Sequence, residues 1–377
     1  MSEVPGLARD PVRPRVRAEL LLVAAAVAGS FLVYAPFAGR MTDVYRFWDG
    51  PDYLTVARTL YDVRPDNPLL AYVHTPTYFL VHLPVYPLLV RAFSFVGYLP
   101  ALLLVSVLAT CVATILFYRL CRDVWKLASP GFLTLVFLFL PPRWLLYRST
   151  GSTEAVYMAL TLAAIFFFER SRVGRASVAG AFATLTRIPG LMIAPAFAVV
   201  LLRRRRWREL LWLAFIPAAL AGYFLFCASR TGNFLEYFSQ HRDKISVVWP
   251  FGFLPELFRK GLYHQAEFHI LLALAYAVGT SRLRAFPTIF WYCVFELGLH
   301  LFIATEDWSR YFLAMAPFAL VVGFREVIDT RAFRWLFVPY TVLALVYAWG
   351  VIPLNGCRPD IFARLLAHLG LLREIPF

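Results

Sequence analysis

Lysine is scarce in this chain. Only Lys126, Lys244 and Lys260 carry it, and arginine supplies the rest of the basic side chains behind a net charge of +14. Acidic residues are few as well, 23 against 37 Lys and Arg. In a soluble chain such an excess would suggest nucleic acid, but here the arginines fall between long apolar runs, the pattern of the positive-inside rule, which removes nucleic acid as a partner. The five cysteines, Cys111, Cys121, Cys227, Cys293 and Cys357, are scattered without metal-ligand spacing, which argues against a disulfide framework or a zinc site. Signatures of soluble enzymes are missing too. There is no Walker loop, no dinucleotide-binding glycine pattern after a strand, no Gly-x-Ser-x-Gly elbow and no His-Glu-x-x-His, so a nucleotide-driven mechanism is not expected. No internal repeat and no low-complexity linker divides the chain, so residues 1–377 read as one continuous membrane domain.

What is present is apolar surface: 60% of residues are hydrophobic, 17% are aromatic and the mean hydropathy is +0.65, more than a water-soluble globule of this length needs. The expected fold is all-α, a polytopic integral membrane protein. Apolar segments lie at 19–38, 99–120, 129–146, 154–169, 176–188, 189–202, 209–228, 262–280, 286–304, 310–326 and 335–352, about eleven spans by the length criterion. The two segments flanking Pro189 are short, as tilted or broken helices beside a cavity would be. The Arg9–Arg17 segment precedes an apolar stretch too long for a signal-peptide core, so it reads as a retained first span.

Arginines mark every second loop: Arg9–Arg17, Arg119 and Arg122, Arg170–Arg175, Arg203–Arg208, Arg282 and Arg284, and Arg325–Arg334. That parity makes the N-terminus cytoplasmic and turns the segments 39–98 and 229–261 outward. The apolar run at 78–97 would invert all later loops if it crossed, so it is expected to be interfacial or re-entrant. The tail 353–377 reads as an amphipathic helix on the outer face. Arginine usage suggests a GC-rich bacterial genome, hence a bacterial inner membrane.

Chemistry is expected in the outer segments. Asp43, Arg46, Trp48, Asp49, Asp52 and Tyr53 follow the first span directly, either as a base-bearing surface or as the solvated face of an interfacial helix. Tyr72, His74, Tyr78, His82, Tyr86 and Arg91 interleave with prolines, either lining a groove or forming an aromatic belt. Glu154 opens a span, as a functional acid or as one favoured by the helix dipole. Arg187 lies between two short apolar segments, where a charge must be paired or face a polar cavity. Glu306, Asp307, Arg310 and Tyr311 form a further boundary cluster, with Arg310 reaching a carboxylate, reaching a lipid phosphate or snorkelling. The outer loops hold no convincing Asp-x-Asp pair.

Trp48-Asp49-Gly50-Pro51-Asp52-Tyr53, Pro84-Val85-Tyr86-Pro87-Leu88-Leu89, Ser152-Thr153-Glu154, Thr186-Arg187-Ile188-Pro189-Gly190 and Arg310-Tyr311 occur in the order seen in the GT-C glycosyltransferases. Over roughly residues 20–330 the chain resembles, more narrowly, the mannosyltransferases that add the second mannose to glycosylphosphatidylinositol anchors, and their bacterial relatives. It departs from that pattern at Leu80-Val81-His82-Leu83, where a phenylalanine-rich run is usual. The resemblance implies an inverting membrane glycosyltransferase that moves a sugar, mannose by the narrower likeness, from a polyprenyl-phosphate donor to a lipid, glycan or protein acceptor on the outer face. It implies Asp49 as general base, with Arg187, Arg310 and His74 on the donor phosphate. Trp48, Tyr53, Glu154 and Tyr311 would contact substrate. It implies no cofactor beyond the lipid-linked donor, and metal independence. A transporter or flippase for an anionic lipid-linked substrate is the alternative from the same broken helices and buried arginines, and a structural subunit of a membrane complex is a third.

Overall fold

The computed structural model describes residues 12–241, 246–305 and 307–374; Arg9 and Glu306 of the sequence reading lie outside them. It is helical nearly throughout. Four of the described helices are long and apolar enough to cross a bilayer, Val16–Phe37, Tyr98–Val124, Trp207–Thr231 and Arg331–Leu354. A fifth arises if Pro130–Phe139 and Pro142–Arg148, bent by 77°, count as one span. The bend follows from Pro141 and Pro142, which lack amide donors and whose rings clash with the preceding turn. The chain is an integral membrane protein.

The remaining apolar segments are shorter than full spans. Glu154–Glu169 has 16 residues, Val173–Thr184 has 12, Ile193–Arg203 has 11 and Pro287–Leu301 has 15. The segment expected at 310–326 breaks into Trp308–Tyr311, Phe312–Met315 and Pro317–Val322. At 1.5 Å per residue, helices of 12 and 11 residues rise only about 18 and 16 Å, roughly half the hydrocarbon thickness. The Pro189 turn thus lies between two helices too short to cross a bilayer alone.

Residues 78–97 do not form a crossing. They divide among Pro76–Val81, the eight-residue helix Val85–Ala92 and Ser94–Val96, and end at Gly97 before the helix Tyr98–Arg119. Prolines 76, 84 and 87 impose these breaks.

Side-chain contacts sort the connecting segments into two sets. Thr75 Oγ1 donates to Gln240 Oε1, Arg46 to the Cys357 carbonyl and Arg58 to the Leu369 carbonyl, joining segment 39–98 to segment 229–261 and to the tail. At the other end Arg119 pairs with Glu19, and Arg206 donates to Ser171, Arg334 to Ser129 and Arg282 to Glu326. Every one of these contacts joins segments that the arginine parity puts on the same side.

The tail helix Pro359–Leu369 starts at a proline, ends at Gly370 with φ +72°, and turns Ile361, Phe362, Leu365, Leu366 and Leu369 inward. That face packs on helix Gly50–Thr59, so the tail covers the first outer loop. Glu374 then caps the next long helix, its Oε2 accepting the Leu99 amide at 2.9 Å. Glu374→Ala is expected to cost about 1 kcal/mol, measured as a lower unfolding midpoint in detergent.

Candidate functional site

Helix Gly50–Thr59 begins immediately after Asp49. The turn before it is tight. Trp48 has φ +47° and donates its amide to the Asn355 carbonyl at 2.9 Å, while a Cβ on Gly50 would lie 2.8 Å from the Tyr45 carbonyl oxygen. At its far end Arg91 donates to the carbonyls of Ala57 and Arg58, satisfying groups that a helix C-terminus leaves open. The helix that presents Asp49 is thus held at both ends.

Glu154 is the first residue of its helix, where the backbone dipole favours a carboxylate. Arg187 sits in extended backbone between Val173–Thr184 and the 3₁₀ segment Ile188–Met192. That turn folds back so closely that a Cβ on Gly190 would meet the Thr184 nitrogen at 2.6 Å. That nitrogen and the Ala183 carbonyl carbon, at 2.7 Å, are backbone and cannot rotate away. Gly190→Ala should open the turn, destabilise the fold by about 1–3 kcal/mol and displace Arg187. Thermal unfolding and lipid-phosphate binding measured on one preparation would show both effects.

These elements converge. Arg310, 6% exposed, donates through Nε to Glu154 Oε1 and through Nη1 to Asp49 Oδ2 at 3.1 Å. Arg187 Nη1 reaches the same Glu154 oxygen at 2.8 Å and Thr153 Oγ1 at 3.1 Å. Asp307 lies 3.7 Å from Arg310 Nη1 and pairs with Arg143, which also donates to Ser309. Three carboxylates, Asp49, Glu154 and Asp307, therefore alternate with three guanidiniums, Arg143, Arg187 and Arg310. Aromatic faces close the arginines in: Tyr147 and Trp48 lie 4.5 and 5.9 Å from Arg310, and Tyr311 lies 5.2 Å from Arg187. A small cleft lined by Glu154, Arg187, Arg310, Trp144, Tyr311 and Leu313 adjoins the network.

The members differ in access. The Glu154 side chain is 3% exposed and accepts from two arginines through one oxygen, whereas that of Asp49 is 28% exposed and takes a single bond from Arg310. Asp49 is thus the most accessible carboxylate of the network, and Glu154 is the counter-charge between two buried arginines.

Of the residues singled out from the sequence, Asp49, Trp48, Glu154, Arg187, Arg310 and Tyr311 meet in one place. Tyr53 is nearby but packed, its ring edge-on to His82 and Tyr86, each at 5.0 Å. Burial, reinforced by the Asp49 carboxylate, pushes its phenol well above the usual range, so it is neutral at physiological pH. His74 is not brought to the site. It is exposed, in left-handed backbone as the C-cap of Leu70–Val73. Arg143 escaped the sequence reading because it follows two prolines inside an apolar run. Those same prolines, which turn the helix outward there, were the signal that could have found it. Arg148, equally unmarked, is fully buried and donates to the carbonyls of Leu138 and Ala26 and to Ser30, a structural clamp between the bent pair and the first helix.

The fold that sets these broken helices around a cleft of acids and arginines is shared with a solved structure. Among solved structures, ArnT from Cupriavidus metallidurans, bound to undecaprenyl phosphate, matches 94% of this chain with a TM-score of 0.52 at 15% identity. The chain spans 63% of the length of ArnT. The oligosaccharyltransferase of Archaeoglobus fulgidus in its apo form matches 90% of this chain and 57% of its own, with a TM-score of 0.49 at 13% identity. No family model and no curated protein matches the chain.

Proposed function

We propose that this chain is an inverting membrane glycosyltransferase that takes a sugar from a polyprenyl-phosphate carrier and transfers it to a lipid, glycan or protein acceptor. The observation that carries the reading is Arg310, which bridges the accessible carboxylate of Asp49 and the buried carboxylate of Glu154. One base beside one anion clamp is what a single displacement at an anomeric carbon requires. The acceptor oxygen attacks opposite the lipid phosphate, Asp49 takes the hydroxyl proton, and Arg310 and Arg187 receive the charge that develops on the departing phosphate. The empty network is charge-balanced, so a phosphate enters by exchange, and the most exposed acid is the one that gives up its arginine. The narrower resemblance assigns mannose as the sugar. Arginine parity supports a cytoplasmic N-terminus and an outward-facing site, and arginine usage supports a bacterial inner membrane.

The test is transfer of radiolabelled mannose from a mannosyl polyprenyl phosphate to membrane lipid extract by the purified chain. Label that stays on the carrier but crosses reconstituted vesicles would favour the flippase reading. Transfer of another sugar in place of mannose would correct the donor while keeping the reaction class.

A further inference from the structure

Beside the arginine network, on the other side of Asp49, lies a second polar group that the transfer mechanism does not use. Asp52 is one turn into helix Gly50–Thr59, and His82 follows the 3₁₀ segment Pro76–Val81. One ligating atom from each of Asp49, Asp52 and His82 lies within 4.8 Å of the other two. His82 is 4% exposed. Its Nε2 faces Asp52 Oδ2 at 3.5 Å and its Nδ1 is buried with no hydrogen-bond partner. The ring is held edge-on by Tyr53 and Tyr78, at 5.0 and 5.6 Å. A buried imidazole normally acquires a hydrogen-bond partner at each nitrogen; here Nδ1 has none, and Nε2 is the atom turned to the Asp52 carboxylate.

The charge is unusual as well. Asp49, Glu154 and Asp307 are each matched to an arginine. Among the described residues, Asp52 has no lysine or arginine within ion-pair distance, its contact being His82. Asp52 thus adds one carboxylate that the balanced arginine network does not match. A recess with an unmatched carboxylate beside a buried imidazole favours a cation.

We propose that Asp49, Asp52 and His82 form a divalent-cation site. Ligand atoms held 2.0–2.5 Å from a common ion are at most about 4–5 Å apart, so the observed spacing closes on an ion with small side-chain movements. Two carboxylates and one imidazole suit manganese(II) and its first-row neighbours better than a thiolate-preferring metal. Tyr53, Tyr78 and His82 are all buried, so the recess is closed to water on their side. A cation there adjoins the Asp49 carboxylate and would polarise the acceptor hydroxyl while lowering its proton affinity. This is opposite to the metal independence that the family resemblance implies.

The site is tested without donor or acceptor, so the outcome is separate from that of the transferase assay. The full-length chain in detergent is dialysed free of metal and titrated with manganese(II), following the six-line spectrum of the aqueous ion by electron paramagnetic resonance. One ion bound per chain is expected, with nitrogen modulation from a coordinated imidazole in pulsed spectra. His82→Gln should abolish that modulation. Asp52→Asn should weaken binding by at least about tenfold, since losing even an outer-sphere partner costs that much. Asp329→Asn, at the opposite end of the molecule, should change nothing. Failure of the wild-type chain to bind, or equal binding by wild type and Asp52→Asn, overturns the proposal. If His82→Gln does not fold, Asp52→Asn carries the test, since Asp52 has no arginine to leave unpaired.

Discussion

Asp49→Asn should lower sugar transfer by about 10²–10⁴-fold, the usual contribution of a positioned base, while leaving binding of polyprenyl phosphate unchanged or tighter. The sign of the binding effect follows from the geometry. Asp49 Oδ2 occupies Arg310 Nη1 at 3.1 Å, and a neutral amide would return that donor and its full charge to the phosphate. An acid that merely held the fold together would give the other pattern, with rate, affinity and thermal stability falling in parallel. The measurement is a rate from radiolabelled transfer alongside an equilibrium affinity for polyprenyl phosphate on the same preparation. Undiminished transfer by Asp49→Asn would remove the residue from the chemistry. The substitution is mild for stability, because Asp49 is the most exposed acid of the network and makes one hydrogen bond to it.

Arg310→Ala should have the largest effect on both binding and folding. The guanidinium is 6% exposed, bridges Glu154 and Asp49 and approaches Asp307. Its removal leaves Glu154 with Arg187 alone and Asp49 with no arginine, in surroundings of which Tyr147 and Trp48 form a large part. Breaking a buried pair from one side typically costs about 3–5 kcal/mol, and the lipid phosphate would lose one of its two clamps. Arg310→Lys separates the two consequences. An ammonium keeps the charge but cannot direct separate N–H groups at two carboxylates, so folding should largely survive while affinity for polyprenyl phosphate falls by about tenfold or more. The pair of variants is read by thermal unfolding and by lipid-phosphate binding. Normal affinity in Arg310→Lys, with folding intact, would show that the phosphate does not use this fork.

The opposite signs expected at Asp49 and Arg310 make a stronger test than either variant alone. A residue pair that only stabilised the roof of the cleft would shift binding in one direction whichever partner was changed. Donor exchange at a balanced ion network shifts it in two.

Parts of this arrangement were legible in the sequence because hydropathy and proline mark where spans end. Asp49 directly follows the first apolar run, Glu154 opens another, Arg187 interrupts a pair of short ones beside Pro189, and Arg310 stands at a further boundary. Each is a charge at the edge of an apolar segment, and a charge there must find a partner or water, so its position alone makes it notable. The distribution of arginines between loops likewise separates the segments into the two sets that the side-chain contacts join. The all-helical architecture follows from the bilayer, which leaves no unpaired backbone in a single chain of such segments.

What the sequence could not supply is which charge meets which. Arg310 reaches Asp49 and Glu154 across 261 and 156 residues of chain, and helices apolar on most faces carry little pattern to say how they rotate against one another. Packing settles that rotation, through close approaches between helices such as Gly180 on Ile216 and Gly279 on Ala319. The same packing leaves His74 on the surface, brings His82 to Asp52, and swings Arg143 to Asp307 at a proline bend. Asp49, Asp52 and His82 look in the sequence like two acids and a distant histidine. Only the fold of the first outer loop, clamped by Arg91 at one end of its helix and by the tail at the other, brings them to one recess. Local chemistry and segment boundaries were determined by the sequence alone, because each depends on neighbours within a turn or two. Partnership was decided by tertiary structure, because it depends on helix rotations that apolar contacts select only when the whole bundle is assembled.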